Sequence, residues 1–362
     1  MKKFFYSSVL ISFILPFGSC SEDRSPEGIY LSTDSYSLTL TDSVFNVKAN
    51  ALTLAIEVNA TGEWYATSSD NWLAFDSNPK RGSGTLTLNV TENRDKYYPR
   101  IGYVYLHSGP IRRIIEINQE SIGLLIVNIG DVSFKMIPVE HGTFIMGKDT
   151  TAHKVTLTKD YKIGQTEITQ ALWTAITGEK KLKTLTTDLS GWNYSLIDGN
   201  RSYGDNYPAS CVDREDALEF ISKLNELTGM KFRMPTEAEW EFAAKGGNKS
   251  KGYIYSGSDN IEDVTDRYHL RRIAEKKPNE LGLYDMTGNL DEIVSDWYGV
   301  QSTEPAIDPT GPEKGQYGYW VVKGGSYGHW LDEYLYFYEP YSRIDCNQYS
   351  ADNDNVGLRL AM

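Results

Sequence analysis

The sequence predicts two unlike domains, an all-β sandwich followed by an α+β domain with low regular secondary structure. Residues 31–121 alternate apolar and polar side chains with a period of two. The remainder mixes short strands, capped helical patterns and many Gly-bearing turns. The 25 Tyr, 8 Trp and 31 Gly among 362 residues suit β-rich, loop-rich architecture, with 40% hydrophobic and 23% charged residues as in ordinary globular chains. The division read from these patterns is a signal peptide at 1–19, a tether at 20–30, the sandwich at 31–121 and the second domain at 126–362.

Lys2 and Lys3 precede a mostly apolar run from Phe4 to Phe17, too short to span a bilayer as a mature helix. Gly18 and Ser19 then lead to Cys20. The arrangement resembles a bacterial lipoprotein signal, which implies lipidation of Cys20 and anchoring by acyl chains. An ordinary cleaved signal is the alternative. Glu22 and Asp23 resemble the surface-export tether of lipoproteins from the Bacteroides group. The expected location is the outer membrane, at the cell surface.

In the first domain, Leu52, Leu54, Ile56 and Val58 alternate with Thr53, Ala55 and Glu57. Leu86, Leu88 and Val90 do so with Thr87 and Asn89, and Ile115 and Ile117 flank Glu116. Short strands divided by turn clusters such as 78–84 make a sandwich. The pieces S-S-D-N-W-L at 68–73, G-S-G-T-L-T-L-N-V at 82–90 and I-N-Q at 117–119 resemble the BACON domain, an immunoglobulin-like module. That family's name suggests carbohydrate binding. Trp64 and Trp72 could stack on sugars or fill the core, and no separate site is read here.

The second domain opens with strand patterns at 134–139, 142–147 and 153–157. Thr169 caps a helix with Leu172, Trp173 and Ile176 on one face and Gly178 as stop. A second helix lies within 208–229, its stripe Ala217, Phe220, Ile221 and Leu224. The best-organised stretch is Met230–Gly247. Thr236 and Glu239 have capping-box spacing, Pro235 precedes the cap, and Glu237, Glu239 and Glu241 suit the positive end of the dipole. Trp240, Ala243 and Ala244 predict one buried face on a helix of about ten residues.

The motifs G-T-F-I-M-G, E-I-T-Q, R-M-P-T-E-A-E-W-E-F-A-A, G-L-Y-D-M-T-G-N, K-G-G-S-Y and G-L-R-L run in order from Gly142 to Leu360. Together they resemble the formylglycine-generating-enzyme, or sulfatase-modifying-factor, family, whose fold is C-type-lectin-like. The resemblance implies oxidation of a sulfatase Cys by oxygen and Cu(I), the copper held between two thiolates. Here the matching positions hold His329 and Tyr334, while Ser326 matches a residue of the active pocket. A His–Tyr pair is a poor Cu(I) site, so copper is not expected and no catalytic residue is assigned. Ser326 reads equally well as a turn residue. Other departures agree: Gly288-Asn289-Leu290-Asp291-Glu292-Ile293 lacks both Trp of G-N-x-W-E-W, Val212-Asp213-Arg214 replaces V-S-W, and Lys323 replaces an Arg.

The same resemblance implies a calcium site at Asp285, Gly288, Leu290 and Glu292, by side chains and turn carbonyls. Oxygen donors on an irregular loop suit Ca²⁺; a pair of solvated acids is the alternative. The stretch 325–355 is crowded with Tyr, Asp, Asn and Ser, as in adaptable binding surfaces. Candidate ligand contacts are His329, Trp330, Asp332, Tyr334, Tyr336, Tyr338, Tyr341, Tyr349 and Asn353, with some of the Tyr expected in the core. The stretch also resembles the variable region of lectin-fold proteins diversified by retroelements.

A net charge of −13 opposes nucleic-acid partners. Cys20, Cys211 and Cys346 make neither a disulfide framework nor a zinc spacing. The functional expectation is a surface lipoprotein that binds a glycan or protein ligand without chemistry. A divergent formylglycine-generating oxidase acting on exported proteins is the alternative.

Overall fold

The structure is a computed structural model that describes residues 36–76, 79–179, 204–315, 318–327, 332–346 and 355–362. Cys20 and the tether lie outside the described residues, as do His329, Trp330, Tyr349 and Asn353.

Period-two alternation places the first nine strands in two sheets around one core. One sheet has the order β1 (Leu38–Leu40), β3 (Leu52–Ala60), β7 (Gly84–Val90), β5 (Leu73–Phe75). The other runs β2 (Val44–Val47), β9 (Ile111–Gln119), β8 (Arg100–Ser108), β4 (Glu63–Thr67), β6 (Lys80–Arg81). Leu86, Leu88, Val104, Leu106, Ile115 and Ile117 are fully enclosed between them. Trp64 and Trp72 are core residues of this cluster. The Trp64 indole also donates to the Gly82 carbonyl at 2.8 Å, so neither ring is a free platform. Lys80 and Arg81, expected within a turn cluster, pair with Glu63 and Trp64 instead.

Lys96 and Tyr97 reach from the sandwich to Asp160 at 2.8 and 2.6 Å. Those bonds, with His141, hold the Asp160 carboxyl well below the usual carboxylate range. Lys249 lies 3.5 Å from the Tyr98 ring centre, and Lys162 donates to the Gly123 carbonyl.

Beyond residue 124 the described residues form three small sheets. They are β10 (Leu125–Ile129), β11 (Val132–Val139) and β14 (Tyr161–Gly164); β12 (Gly142–Met146), β13 (His153–Leu157) and β16 (Ala306–Ile307); and β18 (Ile344–Cys346), β17 (Trp320–Lys323), β15 (Asp291–Trp297) and β19 (Val356–Leu358). Two pairings, β13 with β16 and β15 with β19, are parallel and join distant parts of the chain.

Helix α1 (Gln170–Thr177) is capped by Thr169, whose side chain accepts the Leu172 amide, and ends at Gly178 with φ 79°. Helix α2 (Arg214–Thr228) starts at a reciprocal Asp213–Asp216 box and buries Ala217, Phe220, Ile221 and Leu224 as its stripe predicts. Helix α3 (Glu237–Ala244) carries the expected Thr236–Glu239 capping box. It is shorter than expected, eight residues, and all but Glu239 are buried rather than one face. The reason is position: its start docks on β15, with Ser295 donating to the Pro235 carbonyl and the Glu237 amide donating to Asp296.

Candidate functional site

The site is built where α3, β15, β17 and the final strand converge. After Lys323 the chain turns through Gly324 (φ 99°) and Gly325 (φ 72°), a conformation that disfavours any side chain. A Cβ on Gly325 would also stand 3.0 Å from the Phe337 carbonyl and 3.1 Å from the Tyr338 ring. The turn therefore presses Ser326 beneath the short 3₁₀ segment at residues 332–338. Tyr338 is fully buried there, and its hydroxyl donates to the Ser326 carbonyl at 2.7 Å. This corrects its placement among the ligand contacts: its phenol is committed inside the fold. Ser326 is itself fully enclosed.

Of the other expected contacts, Tyr334 is 36% and Tyr336 47% exposed. Tyr341 is half-buried, with the Lys148 ammonium 4.7 Å from its ring centre. Asp332 begins the 3₁₀ segment. The remaining contacts fall outside the described residues.

The four residues expected to hold calcium lie along one buried turn and strand, but they face a different partner. Glu292 is wholly buried. Its Oε1 accepts Arg359 Nη2 at 2.6 Å and Nε at 2.9 Å; its Oε2 accepts Trp240 Nε1 at 2.6 Å and Arg359 Nε at 2.8 Å. Both carboxylate oxygens are saturated with donors. The Leu290 amide donates to Glu167 at 3.0 Å, and Asp285 accepts the Ala274 amide at 2.8 Å. With Glu292 held by a guanidinium, this set does not fit a calcium ion, and Arg359 supplies the counter-charge. Among the described residues no group of three or more His, Cys, Asp and Glu could hold a metal.

Three buried carboxylates, Glu167, Asp285 and Glu292, share that single guanidinium. Burial pushes the Glu167 carboxyl far up, reinforced by Asp285 and Glu292, and raises Asp285 to about 6. A second buried network also borders Trp240, with the Lys323 ammonium 5.8 Å from its ring centre. Lys323, fully enclosed, sits 3.2 Å from Glu241 and 3.6 Å from Glu237, which also pairs with Arg343 at 2.6 Å. The acidic start of α3 thus serves as an interior charge network as well as a dipole complement.

Sequence reasoning missed Asp291. It occupies a position where the motif has Trp, and its carboxyl is buried beside Ser326. Burial raises it to about 7 against the pull of the Ser326 hydroxyl and Gly325 amide, and its Oδ1 has no hydrogen-bond partner. The departure from G-N-x-W-E-W was the signal for it. Arg214, the departure from V-S-W, stacks 3.5 Å over the Trp320 ring, which in turn stacks on Trp297.

The Sulfatase-modifying factor enzyme 1-like domain model matches residues 132–362. The chain belongs to this family. The chaperone protein LppX of Paenibacillus barcinonensis is 29% identical to this chain over 211 residues, 48% of this chain and 75% of that protein. The formylglycine-generating enzyme of Streptomyces coelicolor is 33% identical over 176 residues, 43% of this chain and 52% of that enzyme. This chain thus spans about half the length of that enzyme. Treponema denticola variable protein 1 shares the fold, with a TM-score of 0.54 and 24% identity over 66% of this chain and 98% of that one. The expected family and the two-part architecture, a β-rich N-terminal region and a family domain with few helices, are both found.

Proposed function

We propose that this family member binds a glycan or protein ligand through the surface of its final segment and does not perform copper-dependent oxidation. The observation that carries the reading is the state of its cysteines. The motif positions of the copper thiolates hold His329 and Tyr334. Cys346, the nearest Cys in sequence, has its thiol pushed up to about 12, by burial first and then by Asp291, Asp345 and Asp213. A neutral thiol is a poor Cu(I) ligand, because the thiolate is the binding form. The exposed rings of Tyr334 and Tyr336 support a contact face. A relative named as a chaperone protein favours a polypeptide among the possible ligands.

The test is enzymatic. The full-length protein is incubated with Cu(I), oxygen and a peptide carrying a sulfatase Cys motif, beside an active enzyme. The expected result is no aldehyde by mass spectrometry; aldehyde formation would establish the oxidase reading, which the 33% identity with the Streptomyces enzyme favours.

Anchoring through Cys20 at the outer-membrane surface completes the proposal. Among the described residues no helix is long and apolar enough to cross a membrane. Labelled fatty acid should enter the protein, and Cys20→Ser should abolish the label; label retained in that variant would refute the anchor.

A further inference from the structure

The two outer faces of the sandwich differ in chemistry. On the sheet of β1, β3, β7 and β5 the outward positions are small or polar, and they satisfy one another: Thr85 donates to Glu57 and Thr53 to Asn89, each at 2.8 Å. On the sheet of β2, β9, β8 and β4 the outward positions carry Val44, Tyr65, Ile101, Tyr103 and Ile114, all between 38% and 57% exposed. Strand register makes these one patch. Ile101 stands opposite Asn118, and Tyr103 opposite Glu116 with Val44 beyond it. Tyr105 stands between Ile114 and Thr67, and His107 between Arg112 and Tyr65. Contiguous apolar surface of this kind marks an interaction site, unlike apolar residues exposed singly.

Part of the ring area is already used within the patch. Tyr65 stacks on His107 with ring centres 4.8 Å apart, and the Arg112 guanidinium lies 4.0 Å from the Tyr105 ring centre. That leaves less open ring face for a sugar than a flat platform would. The charges point to a more specific occupant. Strand β9 presents Arg112 and Glu116 on this face, two residues to either side of Ile114. Arg112 rests on the Tyr105 ring and Glu116 accepts the Asn118 side chain at 2.9 Å, but neither has an ion-pair partner among the described residues.

We propose that a second copy of this chain covers the face, packing sheet on sheet. With the two-fold axis in the interface plane and crossing β9 at Ile114, the two β9 strands run antiparallel. Ile114 of one copy then meets Ile114 of the other, and Arg112 of each meets Glu116 of the other. His107 comes opposite Tyr103 of the other copy, since the two lie one row to either side of Tyr105. The charge pattern is thus its own complement, as an isologous contact requires. This surface belongs to the sandwich, and the proposal stands apart from the ligand reading of the final segment.

The experiment is sedimentation equilibrium of the full-length protein over a concentration series, where a reversible dimer is expected. Arg112→Glu and Glu116→Arg, each alone, should weaken self-association by about tenfold or more, because each sets like charges together twice. Mixed with one another, the two variants should associate again, since every charge pair across the mixed interface is then of opposite sign. Recovery on mixing also separates a lost interface from a lost fold. Glu57→Arg, on the polar sheet, should leave the dimer unchanged. A protein that stays monomeric at every concentration would overturn the proposal and leave the face to a different partner. A dimer that neither single variant weakens, or single variants that fail to associate on mixing, would overturn this face and axis as its seat.

Discussion

Arg359 carries more of the buried charge than any motif comparison suggests. It donates to Glu292 and to the Gly164 and Tyr284 carbonyls while wholly enclosed, so one side chain ties β15, β14 and the turn before Asp285 together. Arg359→Met would leave the Glu292 carboxylate buried without its cation. The expected cost is about 3–5 kcal/mol in denaturant unfolding, as for other broken buried pairs; a loss under about 1 kcal/mol would mean that the carboxylate is protonated or rehydrated. The same geometry predicts that added calcium leaves the melting temperature unchanged. A calcium-dependent rise that Glu292→Gln abolishes would show that the ion displaces the guanidinium.

At the level of elements, α3 is buried except at Glu239, and each end is answered by side chains, Ser256 and Asn279 donating to its last carbonyls at Ala244 and Ala243. Thr236 and Glu239 cap the start, and Arg233 pairs with Glu239 at 2.6 Å from the preceding strand-like stretch. Thr236→Ala should cost about 1 kcal/mol in equilibrium unfolding, the usual value of an N-cap. No measurable change would show that docking onto β15 alone orders the first turn. The capping signal was legible because it is local: two residues three apart determine it. Burial of the helix's acids was not legible, since Glu237 and Glu241 look like surface residues until Lys323 arrives from β17, some eighty positions on. The same holds for Tyr338, which resembles its exposed neighbours Tyr334 and Tyr336 in sequence but turns inward because Ser326 lies beneath it.

Over the whole molecule, stability should peak in mildly acidic solution. Burial raises Asp296 to about 6, above its unfolded value near 3.8, despite the Glu237 amide and Ser295 hydroxyl that favour its charged form. A carboxyl with a raised folded pKa contributes stability that is lost as pH rises through the folded value. Glu241 has the opposite sign. Burial raises it, but Lys323 and Lys245 outweigh that, and its net depression means stability lost as pH falls below the unfolded value near 4.5. Thermal melts should therefore rise from pH 8 towards pH 5 and fall again in stronger acid. Asp296→Asn should flatten the alkaline limb; an unchanged slope in that variant would assign the limb to other groups.

Sequence alone determined the two-part architecture, the capped helices and the family. Strand alternation, helix caps and Gly turns depend on near neighbours, and the ordered motifs span most of the second domain. Only the tertiary structure decided which charged residues are interior, which Tyr are exposed and what Glu292 faces. Those outcomes depend on β15, β17 and β19 meeting across long separations, and a parallel register between Glu292 and Gly357 places Arg359 where an ion was expected. No local pattern encodes that meeting, because the energy that selects it comes from burying both partners at once.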